Sequence, residues 1–155
     1  MASTVTAATM TVTVSESITL NGKNQGGTQT LSIPSIATIS KRTIDVPASE
    51  VEIIAMSTAV SSGTFIESDV LYIRITNLDD TNHVTLTFKD EDNTEFALKL
   101  DKGQSFIYNG DLSGGVVDTM HAGGSALTVS LNDLVNVTAT ADTAACDVEV
   151  FVACK

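Results

Sequence analysis

Tryptophan is absent from this 155-residue chain, aromatic residues make up 5% of it, and it holds only two prolines and two cysteines. Without tryptophan, and with only Tyr72 and Tyr108 as tyrosines, the chain lacks the aromatic platforms that carbohydrate sites usually use, which argues against a glycosidase. Positive charge is scarce as well. Eight Lys and Arg stand against nineteen Asp and Glu, for a net charge of −11. Lys41 and Arg42 are the one adjacent basic pair, so a phosphate-tracking surface is not expected and nucleic acid is a poor partner. Charge this far from zero favours solubility and leaves room for docking onto a basic surface. No window approaches the ~20 apolar residues of a membrane span, and Met1 to Met10 lacks the basic start and apolar core of a signal peptide. The expectation is a chain that folds in the cytosol, not secreted by a signal peptide and with no membrane partner. Cys146 and Cys154 fit that compartment. They share one alternating run, and if that run is a single strand they lie roughly 26 Å apart at ~3.3 Å per residue, beyond disulfide reach. Both are read as buried free thiols.

What the chain does have is alternation. From Val70 to Tyr108 apolar and polar residues alternate through four short segments: Leu71, Ile73 and Ile75; Val84, Leu86 and Phe88; Phe96, Leu98 and Leu100; Phe106 and Tyr108. Period two marks strands with one buried face. The intervening segments are short and rich in Asp and Asn, which predicts consecutive antiparallel hairpins. Alternation returns at Leu127, Val129 and Leu131, at Val135 and Val137, and from Cys146 through Val152. Between these runs, Asn109 to Ser125 carries five glycines and is the longest loop, expected to be flexible.

Residues 1–40 carry only two charged side chains, Glu16 and Lys23. Within them Met10, Val12, Val14, Ile18 and Leu20 share one parity, opposite a face of Thr and Ser. The plainer reading is an interior strand of a sandwich. The alternative is an N-terminal arm over residues 1–20 that adds to a sheet edge in a homo-oligomer or larger assembly, which makes those five residues a candidate assembly interface. Leu31 and Ile33 suggest a strand stopped by Pro34, and Ile44 with Val46 a strand stopped by Pro47. Ser49 to Ser57 has the form of a capping box at Ser49 and Glu52, yet its alternation favours a strand. Ser61 to Ser68 reads as a loop. About 8–11 short strands with little or no helix make an all-β antiparallel sandwich or barrel, in one domain spanning residues 1–155.

No residue set demands a chemistry. The acidic turns at Asp79, Asp80, Asp90, Glu91, Asp92 and Glu95 could gather carboxylates on one edge and suit Ca²⁺, but the 90–95 run lacks the glycine and terminal Glu of an EF-hand loop, and Asp stabilises turns by itself. His83 and His121 have no ligand-spaced partners. The GDLSG run at Gly110 to Gly114 displaces Ser113 by one position from a nucleophile elbow. Asn136-Val137-Thr138 matches a glycosylation acceptor incidentally. Catalytic, cofactor and metal residues are therefore expected to be none.

Two passages carry a resemblance: Tyr72 to Phe106, with its I-x-N-x-D exit at Ile75 to Asp79 and K-L-D-K-G-Q-S-F hairpin at Lys99 to Phe106, and Ala141 to Ala153, with the strand A-x-x-A-A-x-D-V-E-V. Together they resemble small jelly-roll-like virion proteins of tailed bacteriophages, particularly cyanophage-like viruses. The resemblance covers about a third of the chain. It implies a jelly-roll-like sandwich and a non-enzymatic structural protein, a capsid decoration or cement protein. The implied partners are the major capsid protein or other virion proteins and the chain itself, as trimer or dimer, assembled in the host cytoplasm. A neck or tail component, or a ligand-binding sandwich for carbohydrate or calcium, are the alternatives.

Overall fold

A computed structural model describes residues 4–121 and 130–155. The strands are β1 (Ala8–Ser15), β2 (Thr19–Leu20), β3 (Lys23–Asn24), β4 (Thr28–Ile36), β5 (Thr38–Val46), β6 (Val51–Ser57), β7 (Phe65–Ile66), β8 (Val70–Asn77), β9 (Val84–Asp90), β10 (Glu95–Leu100), β11 (Ser105–Asn109), β12 (Met120–His121), β13 (Leu131–Asn132), β14 (Leu134–Ala141) and β15 (Cys146–Cys154). A 3-10 turn at Glu67–Asp69 is the one helical element among the described residues. The expected all-β antiparallel sandwich is what forms. Of Ser49 to Ser57, Val51–Ser57 forms strand β6, and Ser49 lies in the bend that precedes it. The stretch expected as a loop at Ser61 to Ser68 contains β7, which pairs parallel to β6.

Eight strands build two layers in the same order. One layer runs β6-β14-β9-β10, with β7 added beyond β6, and the other runs β5-β15-β8-β11. Each of the segments β5→β6, β8→β9, β10→β11 and β14→β15 crosses from one layer to the other, and each keeps the same neighbours on both sides. An antiparallel ribbon folded over its middle gives this pattern, which is jelly-roll-like. The consecutive hairpins expected across Val70 to Tyr108 are thereby corrected. Within that stretch only β9 and β10 pair as neighbours in sequence, while β8 pairs with β11 and β15. The turns after β8 and after β10 are corners between layers rather than hairpin tips.

Asn77 shows why. Its side chain is fully buried at the corner, where Nδ2 donates to the carbonyls of Asn82 at 2.9 Å and Leu100 at 3.2 Å, and Oδ1 accepts from the Asp79 N–H at 3.0 Å. One amide thus ties both crossings together. A buried amide this fully satisfied fixes a single geometry.

The inner faces close on Ile54, Leu86, Phe88, Val137 and Ala139 from the first layer and Ile73, Ile75, Val148, Val150 and Val152 from the second. Leu71 does not join them. A register shift between Ala153 and Cys154 leaves Leu71 opposite no residue of β15, so it turns outward with Tyr72. A bulge is the one device that reverses parity within a strand.

Cys146 and Cys154, at the two ends of β15, are both free and buried. Burial pushes both thiols up, and Cys154 reaches about 11. Since the thiolate is the nucleophile, neither cysteine should react with a thiol reagent at pH 8 in the folded chain, whereas both should titrate at once in denaturant. Rapid labelling of folded protein would show that the inner face of β15 is open.

Among the described residues β1 pairs with β4 alone, so it is not an interior strand of either layer. The two form a hairpin, with the short pair β2–β3 near its tip, laid over the outer face of the second layer. Pro34 does not stop β4, contrary to expectation. It sits where Ala8 and Met10 face Ile36 and Ile33, a bulge that leaves no ladder bond for the missing N–H, with Ser35 at φ 65°.

Candidate functional site

The candidate site is the face where this hairpin meets the sandwich. Pairing places Met10 opposite Ile33, Val12 opposite Leu31 and Val14 opposite Gln29, so these side chains share one face. The other face holds Thr11 with Ser32, Thr13 with Thr30 and Ser15 with Thr28, and the last pair is joined by a 3.2 Å hydroxyl bond. The apolar face looks down on Leu71, Tyr72, Phe151 and Ala153.

Packing is uneven along the hairpin. At its root Ile33 and Ile36 are buried, and Met10 and Val12 are half-buried against the sheet. Towards the tip, Val14 is 45% exposed, Ile18 48%, Leu20 55% and Leu31 39%. The five residues singled out from sequence therefore divide: Met10 and Val12 hold the hairpin to its own sandwich, and Val14, Ile18 and Leu20 face solvent. Two grooves flank the hairpin. One, of about 430 Å³, runs along Met10 to Val14 over Tyr72, Arg74, Ile107 and Phe151. The second, of about 290 Å³, lies along Gln29 to Leu31 over Ile107 and Asn109.

The groove floor is cross-braced by its own side chains. Tyr72 and Phe151 meet edge to face with centroids 6.0 Å apart, and the Arg74 guanidinium stands 5.8 Å over the Phe151 ring. Arg74 Nη2 donates to Glu149 Oε1 at 2.6 Å and Nη1 to Thr76 Oγ1 at 2.6 Å, and Lys41 Nζ lies 3.1 Å from Glu149 Oε2. Bonds from Arg74 and then Lys41 hold the Glu149 carboxyl below the usual range. Tyr72, Ile107 and Phe151 were missed by sequence reading, although a signal existed. Each is an apolar residue of the wrong parity within an otherwise alternating strand, the mark of a second covered face.

Other sequence candidates are placed elsewhere. β9 separates Asp79 and Asp80 from Asp90 to Glu95 by roughly 20 Å, at ~3.3 Å per residue, so the acidic turns do not gather on one edge. Each works locally. Asp79 Oδ1 accepts from the N–H groups of Thr81 at 2.7 Å and Asn82 at 2.5 Å, which lowers its pKa. Asp90 is buried, with Oδ1 accepting from the Asp92 and Thr94 N–H groups and Oδ2 from Asn132 Nδ2 at 3.0 Å. Among the described residues, no three His, Cys, Asp or Glu side chains form a group able to hold a metal ion. His83 Nδ1 lies 3.4 Å from Asp142, and His121 pairs in β12 with Leu131 of β13. Asn136 Nδ2 donates to Glu52 Oε2 at 3.2 Å in β14.

The glycine-rich stretch is pinned rather than flexible over its described part. Asp111 bridges Gly115, and its carboxylate accepts from the Ser113 N–H, the Ser113 hydroxyl and the Gly114 N–H, so Ser113 is a turn residue. Lys155 Nζ donates to the Ser113 carbonyl at 2.6 Å, and Val116 is fully buried. Gly123, Gly124 and the expected strand residues Leu127 and Val129 lie outside the described residues. Among the described residues, no helix is long and apolar enough to cross a membrane.

No protein-family model matches the chain. No curated protein matches it either. The surface itself is therefore the evidence on function.

Proposed function

We propose that this chain is a non-enzymatic structural protein of a tailed-phage virion, a capsid decoration or cement protein that docks on the outer shell, with the major capsid protein as partner. The observation that carries the reading is the hairpin arm. Val14, Ile18, Leu20 and Leu31 are left exposed on a hairpin laid over a well-closed sandwich, an arrangement that suits contact rather than core. The jelly-roll-like layering and the resemblance of the Tyr72 to Phe106 and Ala141 to Ala153 passages support the same reading.

Docking in this reading combines apolar burial by the arm with an acidic body of net charge −11 that suits a basic rim on the shell. Mixing the purified chain with undecorated phage capsids should give saturable co-sedimentation and a shell that withstands higher temperature, since a ligand that binds only the assembled form stabilises it. A chain that ignores capsids but melts higher in calcium or glycan would overturn this reading in favour of a ligand-binding module. Binding to tails alone would move it to a neck or tail component.

A further inference from the structure

The strand edges of this molecule are guarded unequally. β5 carries Lys41, Arg42 and Asp45, and β10 carries Glu95 and Lys99, charges that discourage a further strand from adding. β11 has five residues, and β4 is broken by the Pro34 bulge. β1 differs from all of these. It has eight residues, no charge and no proline, and among the described residues it pairs on one side only.

Its ladder identifies the free groups. The Glu16 N–H donates to the Gly27 carbonyl at 2.8 Å. By antiparallel alternation the even-numbered residues of β1 bond to β4, so Thr11, Thr13 and Ser15 turn their N–H and C=O groups to the open edge. That edge is one wall of the 430 Å³ groove, whose floor is Tyr72, Arg74, Ile107 and Phe151. A strand wall beside a floor of aromatic and aliphatic side chains with one paired arginine is a geometry that admits strand addition.

We infer that the occupant is β1 of a second copy of this chain, paired antiparallel about a two-fold axis near Thr13. The result is a continuous β4-β1-β1-β4 sheet in which each arm's tip lies on the other copy's groove floor. Self-complementarity selects this partner, because one chain supplies both the exposed tip of Val14, Ile18 and Leu20 and a floor of Tyr72, Ile107 and Phe151 to receive it. Two bodies of net charge −11 repel, and residues 1–40 of each copy contribute one Glu and one Lys, so the arm is the stretch where copies approach without repulsion. The pairing also suits the arm's uneven packing. In an antiparallel pair the exposed tip, with Val14, Ile18 and Leu20, lies beside the other copy's root, where that copy's Tyr72 and Phe151 form the floor. An isologous contact of this kind closes on itself and leaves no edge for a third chain.

The inference deepens the assembly reading above and rests on it in taking the arm as a contact element. Light scattering on the full chain should give about twice the single-chain mass of 16.2 kDa. Thr13→Pro removes an N–H that β4 does not use, and Thr13→Lys sets two cations face to face across the axis. Each should weaken the dimer on the order of 100-fold, with the β-sheet circular dichroism unchanged. If the proline variant misfolds, the lysine variant decides. A single-chain mass for the unaltered protein, a trimer, or a dimer that survives both substitutions overturns the inference. Capsid co-sedimentation on the same samples separates the two proposals. A dimer that ignores capsids sinks the virion reading alone, and a monomer that binds them sinks the pairing alone.

Discussion

Truncation of Phe88 to Ala should destabilise the fold by about 3–5 kcal/mol, a large share of the about 5–15 kcal/mol that holds a typical domain. Phe88 is the largest of the fully buried side chains and sits near the end of β9. Its ring stacks on Phe96 of β10 at 4.9 Å with planes 3° apart, and it meets Phe106 at 5.2 Å and Tyr108 at 5.6 Å. The last two belong to β11 in the opposite layer, so one ring clamps the layers together where both sheets end. Removing it leaves a void between layers whose backbones are held by ladders and cannot collapse to fill it. In urea the midpoint should fall steeply with the slope unchanged. Phe96→Ala serves as the comparison, because Phe96 is 41% exposed and should cost less than half as much. Equal losses at the two positions would mean that Phe88 acts through the edge pair with Phe96 and not as the clamp.

Gly115→Ala should cost about 2–6 kcal/mol, from backbone strain and overlap together. Gly115 has φ +67°, and a Cβ there would lie 2.3 Å from the Glu67 carbonyl oxygen and 2.5 Å from the Ser68 carbonyl carbon. Both are backbone atoms of the 3-10 turn, which no side-chain rotation can move aside. The same turn accepts the Val116 N–H at 2.8 Å through the Glu67 carbonyl, so pushing it away also loosens buried Val116. Gly103→Ala separates the two contributions. Gly103 has φ +69° with open space around it and should lose about 1 kcal/mol, the strain alone. A thermal melt should then place the Gly115 variant well below the Gly103 variant. Coincident melting temperatures would show that the 3-10 turn yields and that the close approach carries no energy.

Much of the layer content was legible in the chain. Val84, Leu86 and Phe88, and the run from Cys146 to Val152, alternate as their burial does, because ladder geometry forces successive side chains to opposite faces. Partner choice was not legible. Alternation states which face of a strand is buried and says nothing about which strand lies beside it, so corner turns held by Asn77 read as hairpin turns. Leu71 was misassigned because a one-residue bulge reverses parity without any change in composition. The glycines at 110 and 115 signalled unusual backbone, but the reason is crowding and not freedom: a Cβ on Gly110 would fall 2.2 Å from the Val70 carbonyl oxygen. At the candidate site, the parity of Met10, Val12 and Val14 gave the apolar face of the hairpin. The groove floor came from Tyr72, Ile107 and Phe151, which belong to three different strands and meet only through the pairing of β8 with β11 and β15.

The shared strand order of the two layers bears on synthesis. β14 and β15 stand at interior positions in both layers, between β6 and β9 in one and between β5 and β8 in the other. A nascent chain emerging from the ribosome therefore holds two earlier legs that have no ladder to each other until residues 134–154 arrive to join them. Neither layer can close co-translationally before that point, and most of the pairing within the two layers is between distant parts of the chain, which places folding among the slow, non-local class. The leg made last is the keystone of the arch, and the sparsely charged arm made earlier waits beside unfinished sheets until it is in place.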